Sequence, residues 1–348
     1  MVSPPRDPNQ DGTPLPIQKT EVVRLAYQLL LGREPANEDV ISSLANFRDI
    51  WELRNRFLLG EEHEVHERIL RIAELVYADE PIVRKGTEDF DALISIDRQS
   101  ETKVRNLIQG DAQSAESAQH QKYSTFHAQR FFDQVRSVIA IRQKMLAEVA
   151  RPRVLDVGSS PVTLMYREIA PEIELSTANL PSNRPAEEAA QQFGAIRNYY
   201  IDLELEPLSE RYPELIAEPF DIVVFCEVIE HVRATPEEML ADLFKIIRPG
   251  GFLIMSTPNA MSASNLTRLA SGRKGDLIYK RGEWAAGRRP RHLHVREYTK
   301  NEIRNALTAC GSNVLAHALK DYYSDTRRNI IAAQYVSARD AQIVIARK

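Results

Sequence analysis

The sequence predicts a doubly wound α/β fold preceded by an all-helical domain, and three observations carry that prediction. Apolar, β-branched runs such as RVLDV and FDIVVFC recur with helical patterns between them, as expected of parallel strands buried on both faces. The turn DVGSS follows the first of these runs, where open α/β sheets place their ligand-binding loops. From Thr20 to Val76 the apolar spacing is helical instead.

Composition sets the bounds. With 348 residues, 43% hydrophobic and 27% charged, the chain has material for about two domains of an ordinary soluble protein. A formal net charge of -4 and a pI near 6.1 argue against a wholesale nucleic-acid binder, though not against a local basic patch. Cys226 and Cys310 are the only cysteines, so no disulfide framework is expected and a reducing compartment fits. No apolar N-terminal segment and no apolar run of about 18 residues occurs, which predicts neither a signal peptide nor a membrane span. The expected location is the cytoplasm.

Residues 1–18 carry five prolines and little that could enter a core, and read as a disordered lead-in. Residues 19–77 read as a helical accessory domain. Thr20 is a plausible N-cap, Val22, Val23, Ala26, Leu29 and Leu30 share a face, and Gly32 ends the helix. REPANEDV opens a second helix, with further amphipathic stretches over 41–57 and 65–76. The domain offers no nucleophile and no metal cluster, which points to docking of a protein partner or scaffolding. Residues 78–124 are polar, contain the loop-like QGDAQSAESAQH, and read as a linker. Helical spacing returns over 126–150 through Phe131, Val135, Val138, Ile139 and Leu146. Tyr123 and Phe126, at its start, lie over a bound cofactor or pack in the core.

A catalytic domain, residues 125–348, follows. Its strands are expected at RVLDV, near 173–178, near 198–201, at FDIVVFC, at GGFLIMSTP, after Gly311 and at IVIAR. The fourth strand runs directly into E-x-x-E-H. If the chain turns helical there, Glu227, Glu230 and His231 fall at i, i+3 and i+4 on one face. With His292 or His294 from HLHVREYT, this oxygen-rich set suits Mg²⁺ or Mn²⁺ rather than a structural thiolate zinc. Three readings stay open: a metal centre, His231 as a metal-free general base, or packing alone. Between Arg268 and Arg291 basic residues outnumber acidic ones by eight to two. That balance suits an anionic acceptor, with Trp284 stacking on a sugar or base, or a solvated loop.

LDVGSSP, YYIDL, FDIVVFCEVIEHV and IIRPGGFLIMSTPN, in this order, resemble the class I S-adenosylmethionine-dependent methyltransferases over residues 125–348. The resemblance implies a Rossmann-like methyltransferase sheet with S-adenosylmethionine as cofactor, and a lid or substrate-binding segment inserted at about 262–296. Asp156 and Gly158 match its cofactor turn, while Ser160 and Val162 stand where the family carries later glycines. Asn179 is nearest the family's ribose-gripping acid. Asp202 matches the adenine-contacting position, or else caps a helix. Glu227 closes the cofactor-binding set.

E-x-x-E-H with a later histidine resembles the ubiquinone-pathway O-methyltransferases and the small-RNA 3′-end 2′-O-methyltransferases. It implies Glu227, Glu230, His231 and His294 as metal ligands, with His231, Glu227 and His294 as the catalytic group. AYQLLLGREPANEDV resembles a helical module that accompanies bacterial surface-glycan enzymes. Together these imply O-methylation of a sugar hydroxyl in a glycan or glycolipid. The alternatives are an RNA 3′-terminal ribose, a catechol-like small molecule, or a cofactor-binding scaffold with little catalysis.

Overall fold

Strand-forming runs build the molecule's centre. A computed structural model describes residues 18–31, 34–49, 52–53, 56–57, 88–114, 117–270, 294–322 and 336–348. Its strands are β1 (Arg153–Val157), β2 (Glu174–Asn179), β3 (Arg197–Tyr200), β4 (Phe220–Cys226), β5 (Ile247–Pro258), β6 (Asn313–Lys320) and β7 (Ala341–Arg347). They form one sheet in the order β3-β2-β1-β4-β5-β7-β6. The first five pair in parallel, and β7 inserts antiparallel between β5 and β6. The expected doubly wound α/β sheet is present. Its order reverses between β1 and β4, which opens a crevice beyond their carboxyl ends.

Both faces of the sheet are covered, so the strands read as continuous apolar runs. Within β4, Ile222, Val224 and Cys226 face one way, packing with Phe131, Val135 and Ile139 of the helix Ala118–Met145. Val223 and Phe225 face the other way, against Leu240 and Leu243 of Pro236–Lys245 and Ile303 and Leu307 of Lys300–Ala309. The pleat's period of two makes this division. Each such fully buried side chain contributes roughly 1.5–3 kcal/mol.

The polar stretch between 78 and 124 departs from the linker expectation. Helices span Glu88–Leu93 and Arg98–Ser114, and the helix expected from Phe126 already begins at Ala118 and closes at Met145. Phe90, Ile94, Val104 and Ile108 are buried with Phe131 and Phe132. They are paired one turn apart, a narrow apolar stripe in an otherwise polar sequence. Arg105 adds its guanidinium 3.9 Å from the Phe132 ring centroid, so a charged residue covers apolar surface.

Near the N-terminus, helices Lys19–Leu31 and Glu38–Leu44 bury Val23, Tyr27 and Ile41 with Phe47, Leu53 and Phe57. The first helix starts at Lys19, so Thr20 lies inside it rather than capping it. Asn37 caps the second, its side-chain oxygen accepting from the Val40 N–H at 3.0 Å. Residues 1–17, the stretch 65–76, His292, Trp284 and the basic run over 271–293 lie outside the described residues. No helix among the described residues is long and apolar enough to cross a membrane.

Candidate active site

The turn after β1 is held from beneath. Asp156 is buried and accepts a hydrogen bond from Thr163 Oγ1 at 2.6 Å, and the same oxygen accepts the Ser160 N–H at 2.9 Å. Asp156 therefore orders the turn through Thr163, and Ser160 enters by its backbone. Burial pushes the Asp156 carboxyl up to about 7 against the pull of the Thr163 bond. Gly158 sits at φ +80, and a Cβ there would lie 2.5 Å from Val228 Cγ2. Only glycine allows this turn to pass so close to the chain leaving β4.

Asn179, at the end of β2, accepts the Ser159 N–H at 2.9 Å. Its amide donates to Ser159 Oγ at 3.1 Å and to Asn198 Oδ1 at 2.7 Å. Asn198 Oδ1 also accepts from Thr177 Oγ1 at 2.8 Å, so a polar ladder crosses from the turn to β3. Asp202, just past β3, accepts the Glu204 N–H at 3.2 Å and orders the next turn. Gly158, Asn179, Asp202, Glu227 and His231 all line one cleft of about 190 Å³ at the crevice. Asp156 and Ser160 support it without lining it.

At the end of β4 the expected helical face does not form. Glu227 takes φ 56, in the left-handed region that disfavours side chains, and only a single 3₁₀ turn, Ile229–His231, follows. Hydrogen bonds from β5 stabilise that conformation: the Glu227 N–H donates to Ser256 O at 2.8 Å, and Ser256 Oγ donates to Glu227 Oε1 at 2.8 Å. The three side chains therefore do not share one helical face.

Glu230 is fully buried. Its Oε2 accepts from Thr257 Oγ1 at 2.9 Å, its Oε1 has no hydrogen-bond partner, and His231 Nε2 stands 3.9 Å from that oxygen. The Glu230 carbonyl accepts the Val295 N–H at 2.6 Å, which brings His294 alongside. The His231 and His294 rings meet edge-on with centroids 5.0 Å apart, and His294 Nδ1 lies 3.0 Å from Glu297 Oε1. One ligand atom each from Glu230, His231 and His294 falls within 4.8 Å of the others. Glu227 is not in that group.

Burial, reinforced by the Glu227 charge, raises Glu230 well above the ordinary carboxylate range. For His294 burial works downward, but the Glu297 bond and the charges of Glu230, Glu297 and Glu227 prevail, and its pKa is raised. Both shifts reflect carboxylate charge gathered around the site. A buried carboxylate oxygen without a partner beside two imidazoles, one of them oriented by a carboxylate, fits a divalent ion.

Glu227 also lines a second cleft of about 260 Å³, with Phe126, His127, Asn265, His294 and Glu297. His127 is held down to about 4, first by burial and then by Arg130, with Glu227 opposing. Tyr123 and Phe126 are 43% and 51% exposed, and Phe126 borders this second cleft. Neither packs in the core or lines the cofactor-type cleft.

The family model described as a methyltransferase domain matches residues 126–317, more than half of the chain. The chain belongs to this methyltransferase family. Its α/β domain is an S-adenosylmethionine-dependent methyltransferase domain, in keeping with the sheet order and the crevice at the strand ends. A ubiquinone biosynthesis O-methyltransferase of Maricaulis maris is 32% identical over 111 residues, which is 31% of this chain and 39% of that protein. The match therefore spans well under half the length of that curated relative. An S-adenosylmethionine-dependent methyltransferase structure from Mesorhizobium loti is 16% identical, covering 60% of this chain and 96% of its own, with a TM-score of 0.39. One from Archaeoglobus fulgidus is 15% identical, covering 62% and 94%, with a TM-score of 0.36.

Four residues of this methyltransferase site escape sequence reasoning: Thr163, Asn198, Thr257 and Glu297. Glu297 alone leaves a local signal, three residues after His294 in HVREYT. The others reach their partners only through sheet register and the turn.

Proposed function

We propose that the chain transfers the methyl group of S-adenosylmethionine to a hydroxyl of a sugar in a bacterial glycan or glycolipid pathway, assisted by Mg²⁺ or Mn²⁺. One observation carries the reading: Glu227 lines both clefts, while His231 lines the first and His294 the second, so the two clefts flank the Glu230, His231 and His294 group. Gly158, Asn179 and Asp202 shape the cofactor side. Glu230, His231 and His294 would hold the ion, which supplies a Lewis acid that lowers a hydroxyl's pKa.

The chain's own residues do the rest. Their placement holds an acceptor oxygen in line with the sulfonium methyl, so that the new O–C bond forms as the S–C bond breaks. Glu297 fixes the His294 ring. His231, facing both the cofactor cleft and Glu230, receives the hydroxyl proton in a metal-free version of the reaction. The sugar acceptor rests on the N-terminal resemblance, and the likeness to a ubiquinone-pathway O-methyltransferase favours a catechol-like acceptor as the second reading.

Methyl transfer to sugar, nucleotide-sugar, catechol and RNA acceptors, each with and without chelator, tests both points. Product on a sugar that vanishes on chelation and returns with Mn²⁺ supports the proposal. Chelator-insensitive turnover assigns proton removal to His231 without metal. Absence of S-adenosylhomocysteine binding in a calorimetric titration would sink the enzyme reading, and binding without methyl transfer to any acceptor would leave a cofactor-binding scaffold.

A further inference from the structure

Asn265, buried in the first turn of the helix Ala263–Ala270, begins a series of hydrogen bonds that ends at His294. Its Nδ2 donates to Glu297 Oε2 at 2.6 Å, and Glu297 Oε1 lies 3.0 Å from His294 Nδ1. The same Nδ2 faces Ala260 O at 3.3 Å and Asn259 O at 3.4 Å. These acceptors settle which end of the amide is NH₂, since the opposite orientation would set oxygen against oxygen at each of them. The frame around them is fixed as well. The Ala260 N–H donates to Tyr298 O at 3.1 Å, and Gln342 Nε2 on β7 donates to that oxygen at 2.7 Å. Asn265 is thus anchored between the chain leaving β5 and the segment that carries His294.

We propose that Asn265 is a positioning residue that sets the tautomer of His294: it holds Glu297 as an acceptor, so His294 donates through Nδ1 and keeps its lone pair on Nε2. A neutral imidazole has one donor and one acceptor nitrogen, and the bond made by one decides the role of the other. A lone pair is what a cation beside Glu230 and His231 requires of this ring, whereas a proton on Nε2 would repel it. The inference rests on the proposed ion-assisted methyl transfer for its meaning, but the tautomer exists without ion, cofactor or acceptor. The geometry also fixes what a single exchange of atoms does. In Glu297→Gln, Asn265 Nδ2 can donate only to the oxygen of the new amide, which turns the amide's NH₂ toward His294 Nδ1. That nitrogen must then accept, and the ring carries its proton on Nε2. Without Asn265 the new amide can rotate and accept from Nδ1 again.

The test is NMR of the ring nitrogens of His294 in the full, chelator-treated chain at about pH 9, above the ordinary histidine range. The spectrum of His294→Ala assigns the signals. The parent should carry the proton on Nδ1, Glu297→Gln on Nε2, and the double variant Asn265→Ala/Glu297→Gln should return toward Nδ1. A residue that only supports the fold would not produce that return. A dispersed amide spectrum shows that each variant folds. If removing Asn265 unfolds the chain, Glu297→Gln, which keeps Asn265 and the side chain's shape, carries the test alone. Calorimetric titration with Mn²⁺ reads the consequence: Glu297→Gln should weaken binding about tenfold to a hundredfold, and the double variant should regain part of it. A proton on Nε2 in the parent, a proton kept on Nδ1 in Glu297→Gln, or a folded double variant that does not return would each overturn the assignment. The expected tautomers with no Mn²⁺ bound by any variant would defeat the ion of the proposed function and leave Asn265 in this role. Mn²⁺-dependent methylation of a sugar by a chain whose His294 keeps one tautomer throughout would do the reverse.

Discussion

Asp156 shows how one buried side chain couples the site to pH. It is 1% exposed, its side-chain donor among the described residues is Thr163, and burial lifts its pKa from 3.8 to about 7. Because the folded value is raised, the native state binds the proton more tightly than the unfolded chain does. Its contribution to stability is complete below the unfolded value of 3.8 and is lost as pH rises toward 7. Three pKa units correspond to roughly 4 kcal/mol as an upper bound. Asp156→Asn keeps an oxygen for Thr163 and removes the proton. We expect its stability, followed by urea unfolding, to vary less between pH 4 and 7 than that of the parent, at roughly these limits. Parallel pH profiles would show that Asp156 does not bear the shifted pKa.

At the scale of elements, the cofactor turn and the loop leaving β4 are fitted to each other. Gly158→Ala sets a methyl group 2.5 Å from Val228 Cγ2 and forces φ +80 on a residue with a side chain. A loss of about 2–4 kcal/mol is expected. The loop carrying Glu227 and His231 must shift, so S-adenosylhomocysteine affinity should fall at least about tenfold, a change of roughly 1.4 kcal/mol. Calorimetry on a variant that remains folded measures it, and unchanged affinity would show that the turn tolerates the contact.

The same scale explains what the sequence reveals and what it hides. RVLDV and FDIVVFC are legible because both faces of their strands are buried, and a run without alternation has few other homes. Gly158 and the E-x-x-E-H letters are legible as local chemistry. The arrangement of those letters is not, since Glu227's left-handed backbone depends on Ser256 from a neighbouring strand 29 residues away. Helix Arg98–Ser114 hides for a related reason. Its apolar residues are few, and Val104 and Ile108 find their partners on a different helix.

For the molecule as a whole, the core locates the edge of the methyltransferase unit. Phe90, Ile94, Val104 and Ile108 belong to the same apolar cluster as Phe131, Ile222 and Ile254. Lys320 Nζ, on β6, lies 2.8 Å from Asp91 Oδ1, tying helix Glu88–Leu93 to the far edge of the sheet. Val23, Tyr27, Ile41, Phe47, Leu53 and Phe57 form a cluster of their own. Residues lining the cofactor cleft begin only at Val157. Removing residues 1–87 should therefore leave the thermal midpoint and S-adenosylhomocysteine affinity of the remaining unit nearly unchanged. Removing residues 1–116 strips four large side chains from the core, at roughly 1.5–3 kcal/mol each, close to the whole stability of a typical domain. That chain should melt far lower or fail to fold. Differential scanning calorimetry of the two truncations decides the matter: equal midpoints would move the edge of the unit back toward residue 125, and a collapse already at residue 87 would mean that the N-terminal helices are part of it.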